Sequence, residues 1–263
     1  MYTNIVFEKN EGIARITLNR PDVLNALNLR SYQEISDAIS QVEYDAETRV
    51  VIIGSTGRAF CAGADLGDIG ALVGTPGGRE ELRRLVITGN NTYNAIEQCS
   101  RPVIVAIQGM ALAGGLELVA SCDIAIADRD ARLGDQHSNF GAIPGGGDSQ
   151  RLPRLIGIRK AMELLLTGDW ISGSEAERLG LVNRAVPAAE LESTVMELAK
   201  KLAKRNPGAL RTIKNLVHQG MQSPLWVGLE LEKANLLYQF TTADTQEGIK
   251  ALKEKREAHF KGI

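Results

Sequence analysis

Two glycine-containing junctions, each placed after an unbroken apolar strand, constrain this chain more than any other feature. The first apolar run is Pro102-Val103-Ile104-Val105-Ala106-Ile107. A strand without polar alternation reads as buried. It leads into Gly109-Met110-Ala111-Leu112-Ala113-Gly114-Gly115-Leu116-Glu117-Leu118-Val119-Ala120-Ser121-Cys122-Asp123. Gly114 and Gly115 open a short apolar helix with one acid, Glu117, near its start. Glycines at a helix N-terminus let a ligand approach bare N–H groups, which suit an oxygen that gains negative charge. A carboxylate beside such an oxygen is a candidate base or acid. A plain glycine turn followed by a glutamate that favours the helix start explains the same residues.

A second junction repeats the pattern. Val50-Val51-Ile52-Ile53-Gly54 reads as another buried strand, followed by Gly57-Arg58-Ala59-Phe60-Cys61-Ala62-Gly63-Ala64-Asp65-Leu66. Two such loops can offer two N–H donors to one oxygen. Together these segments resemble the signature regions of the crotonase superfamily, the enoyl-CoA hydratases and isomerases. The resemblance runs from Asn19-Arg20-Pro21 to Lys255-Arg256. It implies an α/β fold: a spiral of β-β-α units over residues 1–205 carrying an acyl-CoA site, then a helical oligomerisation region over 206–263. It also implies homo-trimers that pair as hexamers.

Composition agrees with one large domain or a domain with a subdomain. The chain has 263 residues, of which 44% are hydrophobic. A formal net charge of −2 gives no general reason to expect a nucleic-acid partner. Three cysteines without metal-type spacing argue against a disulfide framework and fit a reducing compartment. No His/Cys/Asp cluster has metal spacing, so no metal is expected. No run is long enough to span a membrane, and Met1-Tyr2-Thr3-Asn4 passes almost directly into a strand. The expected location is cytoplasmic.

Along the chain, Ile5–Glu8 and Ile13–Leu18 read as strands, and 28–43 as a helix with Tyr32, Ile35, Ala38, Ile39 and Val42 inward. Residues 67–80 hold several glycines and Pro76 and read as irregular. Residues 81–97 read as a helix that buries Leu82, Leu85, Val86, Tyr93 and Ile96. Asp123–Ala127 is a further strand, and 191–205 a strong amphipathic helix. Asn206-Pro207 marks a boundary, and 209–260 reads as helical.

The family resemblance assigns the thioester oxygen to the backbone N–H groups of Ala64 and Gly114. An enolate carries much of its charge on oxygen, and losing one such donor costs about 3 kcal/mol of transition-state stabilisation. Small side chains at Ala62, Gly63 and Ala64 leave room for the thioester. The same resemblance places adenine against the Ala62–Leu66 loop, near Val23 and Leu24, and makes Ala62, Ala64, Asp65 and Leu66 contact residues for coenzyme A. Arg58 and Lys255 stand where relatives carry cations near its phosphates; Lys255 would reach a neighbouring subunit. A solvated surface charge explains either one equally simply, and Asp65 read alone is a helix cap. Asp22 stands where many relatives have lysine. No tightly bound cofactor is implied; coenzyme A enters as part of the thioester substrate.

The informative departure lies after the next strand. Relatives carry a second glutamate there, whereas this chain reads Leu133-Gly134-Asp135-Gln136-His137-Ser138-Asn139-Phe140-Gly141 and places His137 at that position. Histidine can transfer protons, but its charge states are neutral or positive. Three chemistries stay open: hydration of a 2-enoyl-CoA with a Glu117–His137 acid–base pair, one-base isomerisation by Glu117, and thioester hydrolysis or decarboxylation. A local hydrogen bond is the structural alternative for His137, and a non-catalytic acyl-CoA-binding protein the alternative for the chain. Asp148, where relatives often have glycine, reads first as a helix N-cap and second as a relocated carboxylate facing the acyl pocket. Asp135 reads as a loop aspartate bonding nearby N–H groups. His218 and His259 carry no partnering motif.

Overall fold

The computed structural model describes residues 1–262. In chain order the elements are β1 (Ile5–Asn10), β2 (Ile13–Leu18), α1 (Leu29–Glu43), β3 (Val50–Ser55), α2 (Leu66–Leu72), α3 (Gly78–Gln98), β4 (Val103–Ile107), β5 (Met110–Leu112), α4 (Gly114–Ala120), β6 (Ile124–Asp128) and β7 (Arg132–Gly134). They continue through α5 (Asp148–Ile156), α6 (Ile158–Thr167), β8 (Ile171–Ser172), α7 (Gly173–Leu179), β9 (Arg184–Val186), α8 (Leu191–Ala203), α9 (Pro207–Gly220), α10 (Leu225–Gln239) and α11 (Ala243–Glu254).

A six-stranded sheet runs β1-β2-β3-β4-β6-β9, with only the β1–β2 hairpin antiparallel. Its strands are apolar on both faces because both are covered. Val51, Ile53, Val103, Val105 and Ile107 face the main core with Ile35, Ile39, Tyr93 and Ile96. Val50, Ile52, Ile104, Ala106 and Ile126 face the other way, under Leu191, Val195 and Ala199 of α8.

A second, three-stranded sheet, β5-β7-β8, explains the spiral. Each turn of chain leaves the large sheet, crosses the small one and returns through a helix. Successive turns are in register: Cys61 bridges Ala111, and Ala111 pairs with Leu133. The residues just after these three rungs therefore lie side by side, although about fifty and twenty residues separate them along the chain. That stacking brings the two glycine junctions together.

Several sequence expectations need correction. Residues 67–80 are largely ordered: α2 begins at Leu66, and α3 already starts at Gly78. Asp65 caps α2 by accepting from the N–H groups of Gly67 and Asp68, a local device that outweighs the glycines. Val86 is 53% exposed, one position off the stripe formed by Leu85, Tyr93 and Ile96. The tail is three helices broken at 221–224 and 240–242; Ile263, its last residue, lies outside the described residues. Asp148 is not an N-cap: Gly147 takes that place with φ 124°, and Asp148 is the first helical residue.

Candidate active site

The backbone nitrogens of Ala64 and Gly114 lie close together. A Cβ built on Gly114 would lie 3.3 Å from the Ala64 nitrogen, and one built on Gly63 would lie 3.3 Å from the Gly114 nitrogen. Among the described residues neither N–H donates to a backbone acceptor. Ala64 sits in the bridge to Leu27, where Gly63 and Asp65 make the ladder bonds and Ala64 makes none. Gly114 is the first residue of α4 and has no intrahelical acceptor. Ala113 before it is held at φ 48°, ψ −119°, a conformation L residues avoid, and this turns the Gly114 N–H outward. The Tyr93 hydroxyl fixes the turn by donating to the Gly114 carbonyl at 2.8 Å, and the Tyr32 hydroxyl lies 3.1 Å from that of Tyr93.

Glu117 follows within the first turn of α4 and is 4% exposed. One carboxylate oxygen accepts from the Gly146 N–H. Gly146 is needed there: a Cβ would stand 2.1 Å from the Tyr93 ring and 2.6 Å from the other Glu117 oxygen. Burial raises the Glu117 carboxyl above the ordinary glutamate range, opposed by the His137 charge and the Gly146 N–H.

The third rung delivers His137. Asp135 follows β7 directly, is fully buried, and accepts from the His137 backbone N–H at 3.0 Å, the local bond expected of a loop aspartate. It also holds His137 Nδ1 with both oxygens, at 3.0 and 2.9 Å. Burial opposes charge on His137, but the bond to Asp135 and the charges of Asp135 and Glu117 outweigh it and raise its affinity for a proton. Asp148 completes the cluster. It is fully buried and neither carboxyl oxygen has a donor. Burial first, then the charges of Glu117 and Asp135, push it well above the ordinary aspartate range.

The residues assigned to coenzyme A fall into three groups. Val23, Leu24, Ala62 and Leu66 share one surface: the Ala62 N–H donates to the Leu24 carbonyl at 3.0 Å, and Val23 and Leu66 are 44% and 54% exposed. The Asp65 carboxylate is committed to structure, capping α2 and pairing with Arg20 at 2.9 Å. Arg58 is exposed at the edge of this loop and makes no ion pair among the described residues. Lys255 ends α11 in a left-handed conformation and, among the described residues, forms no bond to the loop. Sequence reasoning missed the grip of Gly146 on Glu117, and it ranked the inward carboxylate of Asp148 second to a helix cap. The run Gly145-Gly146-Gly147 was the visible signal for both.

A spiral of β-β-α turns that sets two unpaired N–H groups side by side near a buried carboxyl is the crotonase fold. The chain superimposes on the crystal structure of an enoyl-CoA hydratase from Bacillus anthracis with a TM-score of 0.94 at 40% identity, covering 99% of this chain and all of that one. It is 37% identical to the short-chain-enoyl-CoA hydratase of Clostridium acetobutylicum, over 97% of this chain and 96% of that protein. It is 38% identical to the crotonyl-CoA hydratase of Syntrophomonas wolfei, over 98% of each. The family model described as enoyl-CoA hydratase/isomerase matches residues 8–263. This chain belongs to the enoyl-CoA hydratase/isomerase family.

Proposed function

We propose that the protein catalyses the reversible addition of water to a 2-enoyl-CoA. The observation that carries this reading is the proximity of two unpaired N–H groups, Ala64 and Gly114, near Glu117 and His137. The N–H groups hold the thioester oxygen and stabilise the charge it gains. Glu117 takes a proton from water, and the hydroxide bonds to Cβ. The double-bond electrons move into the enolate, and His137 delivers the Nε2 proton to Cα. Glu117 is left protonated and His137 neutral, and proton exchange with solvent resets both. A short acyl chain is favoured by the names of the Clostridium and Syntrophomonas relatives.

The surface around Val23, Leu24, Ala62 and Leu66 receives the adenine, with Arg58 beside the phosphates and Lys255 supplied by a neighbouring subunit. Asp65 supports this loop rather than touching the nucleotide with its carboxylate, since that group already holds Arg20 and α2. No separate cofactor enters the reaction. The exposed apolar residues of α9–α11 are read as the surface of a homo-trimer or hexamer, with the functional boundary near Asn206. Among the described residues no helix is long and apolar enough to cross a membrane, and we place the enzyme in the cytoplasm.

Crotonyl-CoA absorbance gives the test. The wild type should remove the conjugated-thioester absorbance and form 3-hydroxybutyryl-CoA, while Glu117→Gln should lose activity by about a hundredfold or more. Binding of crotonyl-CoA without conversion by the folded wild type would defeat the hydratase reading for this substrate.

A further inference from the structure

Asp148 is the least explained group in the molecule. It is fully buried at the start of α5, with no donor for either oxygen. A buried carboxylate without donors is costly, so an orphan of this kind needs a partner or a proton. The cation that bears on it, Arg151, does not serve it. Its Nε and Nη2 go to Glu97, Nη2 also to Asn94, and Nη1 to the Gly146 carbonyl. The neighbours of Asp148 are instead two acids, Glu117 from α4 and Asp135 from the loop after β7. Asp135 is within hydrogen-bonding reach, and it already accepts twice from His137, through the backbone N–H and through Nδ1. Two carboxyls in such contact are satisfied when one is an acid that donates to the other.

We propose that the Asp148 carboxyl gives its hydrogen bond to Asp135, and that these two residues position His137 with Nδ1–H turned inward and Nε2 presented to the pocket. The inference rests on His137 acting in the hydration reaction, although its direct readouts do not require turnover. Asp135 sets the tautomer, as a carboxylate behind an imidazole does. Asp148 sets how strongly Asp135 pulls: a donor to Asp135 withdraws part of its charge, so His137 is held without being locked as a cation. Three groups bear on this histidine, namely Asp135 on its own loop, Glu117 on α4 and, through Asp135, Asp148 on α5. The place usually filled by one glutamate is taken here by a histidine with two acids behind it.

The chain has three histidines, so their ring signals can be followed one by one with His137→Gln for assignment. Asp135→Asn should lower the His137 titration midpoint by about one unit or more, since it removes the opposite charge. It should also cut kcat at least about tenfold with little change in KM. Asp148→Ala should raise the midpoint by removing the donor to Asp135, whereas Asp148→Asn, which keeps a donor, should restore it. Infrared spectra of protein carrying isotopically labelled aspartate carboxyls should show a protonated-acid band at neutral pH that Asp148→Asn removes. This reading is separate from Glu117, whose carboxyl is unlabelled. Absence of that band, or an unchanged His137 midpoint in Asp148→Ala, would overturn the proposal. If the band and shifts appear while crotonyl-CoA is not hydrated, the positioning holds and the reaction assignment fails.

Discussion

In the proposed mechanism two residues make opposed demands on the proton. Burial lifts Glu117, which needs to be ionised to act as a base, and Asp135 lifts His137, which needs to be protonated to act as an acid. The active form therefore lies between the two midpoints. The plot of kcat/KM against pH should be bell-shaped, its acid limb above the ordinary glutamate value and its alkaline limb above the ordinary histidine value. Asp135→Asn should pull in the alkaline limb alone; a profile with no alkaline limb at all would remove His137 as the acid. Asp148 carries the opposite consequence for stability. Its proton affinity is raised in the folded protein, so folding is undisturbed below the ordinary aspartate value and loses stability as pH rises above it. Asp148→Asn has no such dependence. Its Tm should match the wild type in acid and exceed it at neutral pH, by a margin that widens as the unfolded aspartate ionises. A constant Tm difference at every pH would contradict a buried acid here.

At the scale of elements, the site is a product of register. Cys61, Ala111 and Leu133 stack as three rungs, so the loops behind them present Ala64, Gly114 and Asp135–His137 at one end of the small sheet. Each junction is legible in sequence because glycines and a preceding apolar run mark it. The stacking itself is not, because β5, β7, β8 and β9 are three residues or fewer and leave no periodicity to read. The same distinction explains Asp148. An aspartate before a helix fits a cap pattern, but Gly147 at φ 124° shifts the helix start by one residue and turns the carboxyl inward. Local pattern also misjudged 67–80, where one cap, Asp65, organises a glycine-rich stretch. The long helices α1 and α8 were readable, since a buried stripe repeats over three or more turns, and α3 was readable apart from its first turn and Val86. Gly146 offers a test of the turn before α5. Gly146→Ala drives a methyl into the Tyr93 ring and Glu117, and overpacking of this kind costs about 1–3 kcal/mol. Gly145→Ala meets only Val86 at an ordinary 3.8 Å. Unfolding and turnover should both suffer in Gly146→Ala and neither in Gly145→Ala; equal behaviour of the two variants would show that the Glu117 grip is not set by this turn.

For the whole molecule, the C-terminal helices pose a problem that one chain does not solve. The helix α9 is anchored to the core: Lys214 reaches Asp123 at 2.7 Å, with its side chain 8% exposed. The helix α10 is different. Its sequence is LWVGLELEKANLLYQ, yet none of its residues is buried. Leu225, Trp226, Leu237 and Tyr238 are 77%, 69%, 69% and 68% exposed. Exposed apolar area on this scale marks a contact surface for a protein, a membrane or a ligand. Charged residues on α10 are confined to Glu230, Glu232 and Lys233, so no polar face balances the apolar ones. In the proposed homo-oligomer α10 would be covered, and each large apolar side chain buried there would contribute about 1.5–3 kcal/mol. Replacing Trp226 and Leu237 together by lysine puts two charges into that contact and removes two such side chains. Sedimentation should give a trimer or hexamer for the wild type and a smaller species for the double variant. If coenzyme A also draws Lys255 from a neighbour, the smaller species should bind crotonyl-CoA more weakly than the wild type while keeping its fold. A double variant of unchanged mass would place the subunit contact elsewhere. One of reduced mass and unchanged affinity would leave Lys255 outside the nucleotide site.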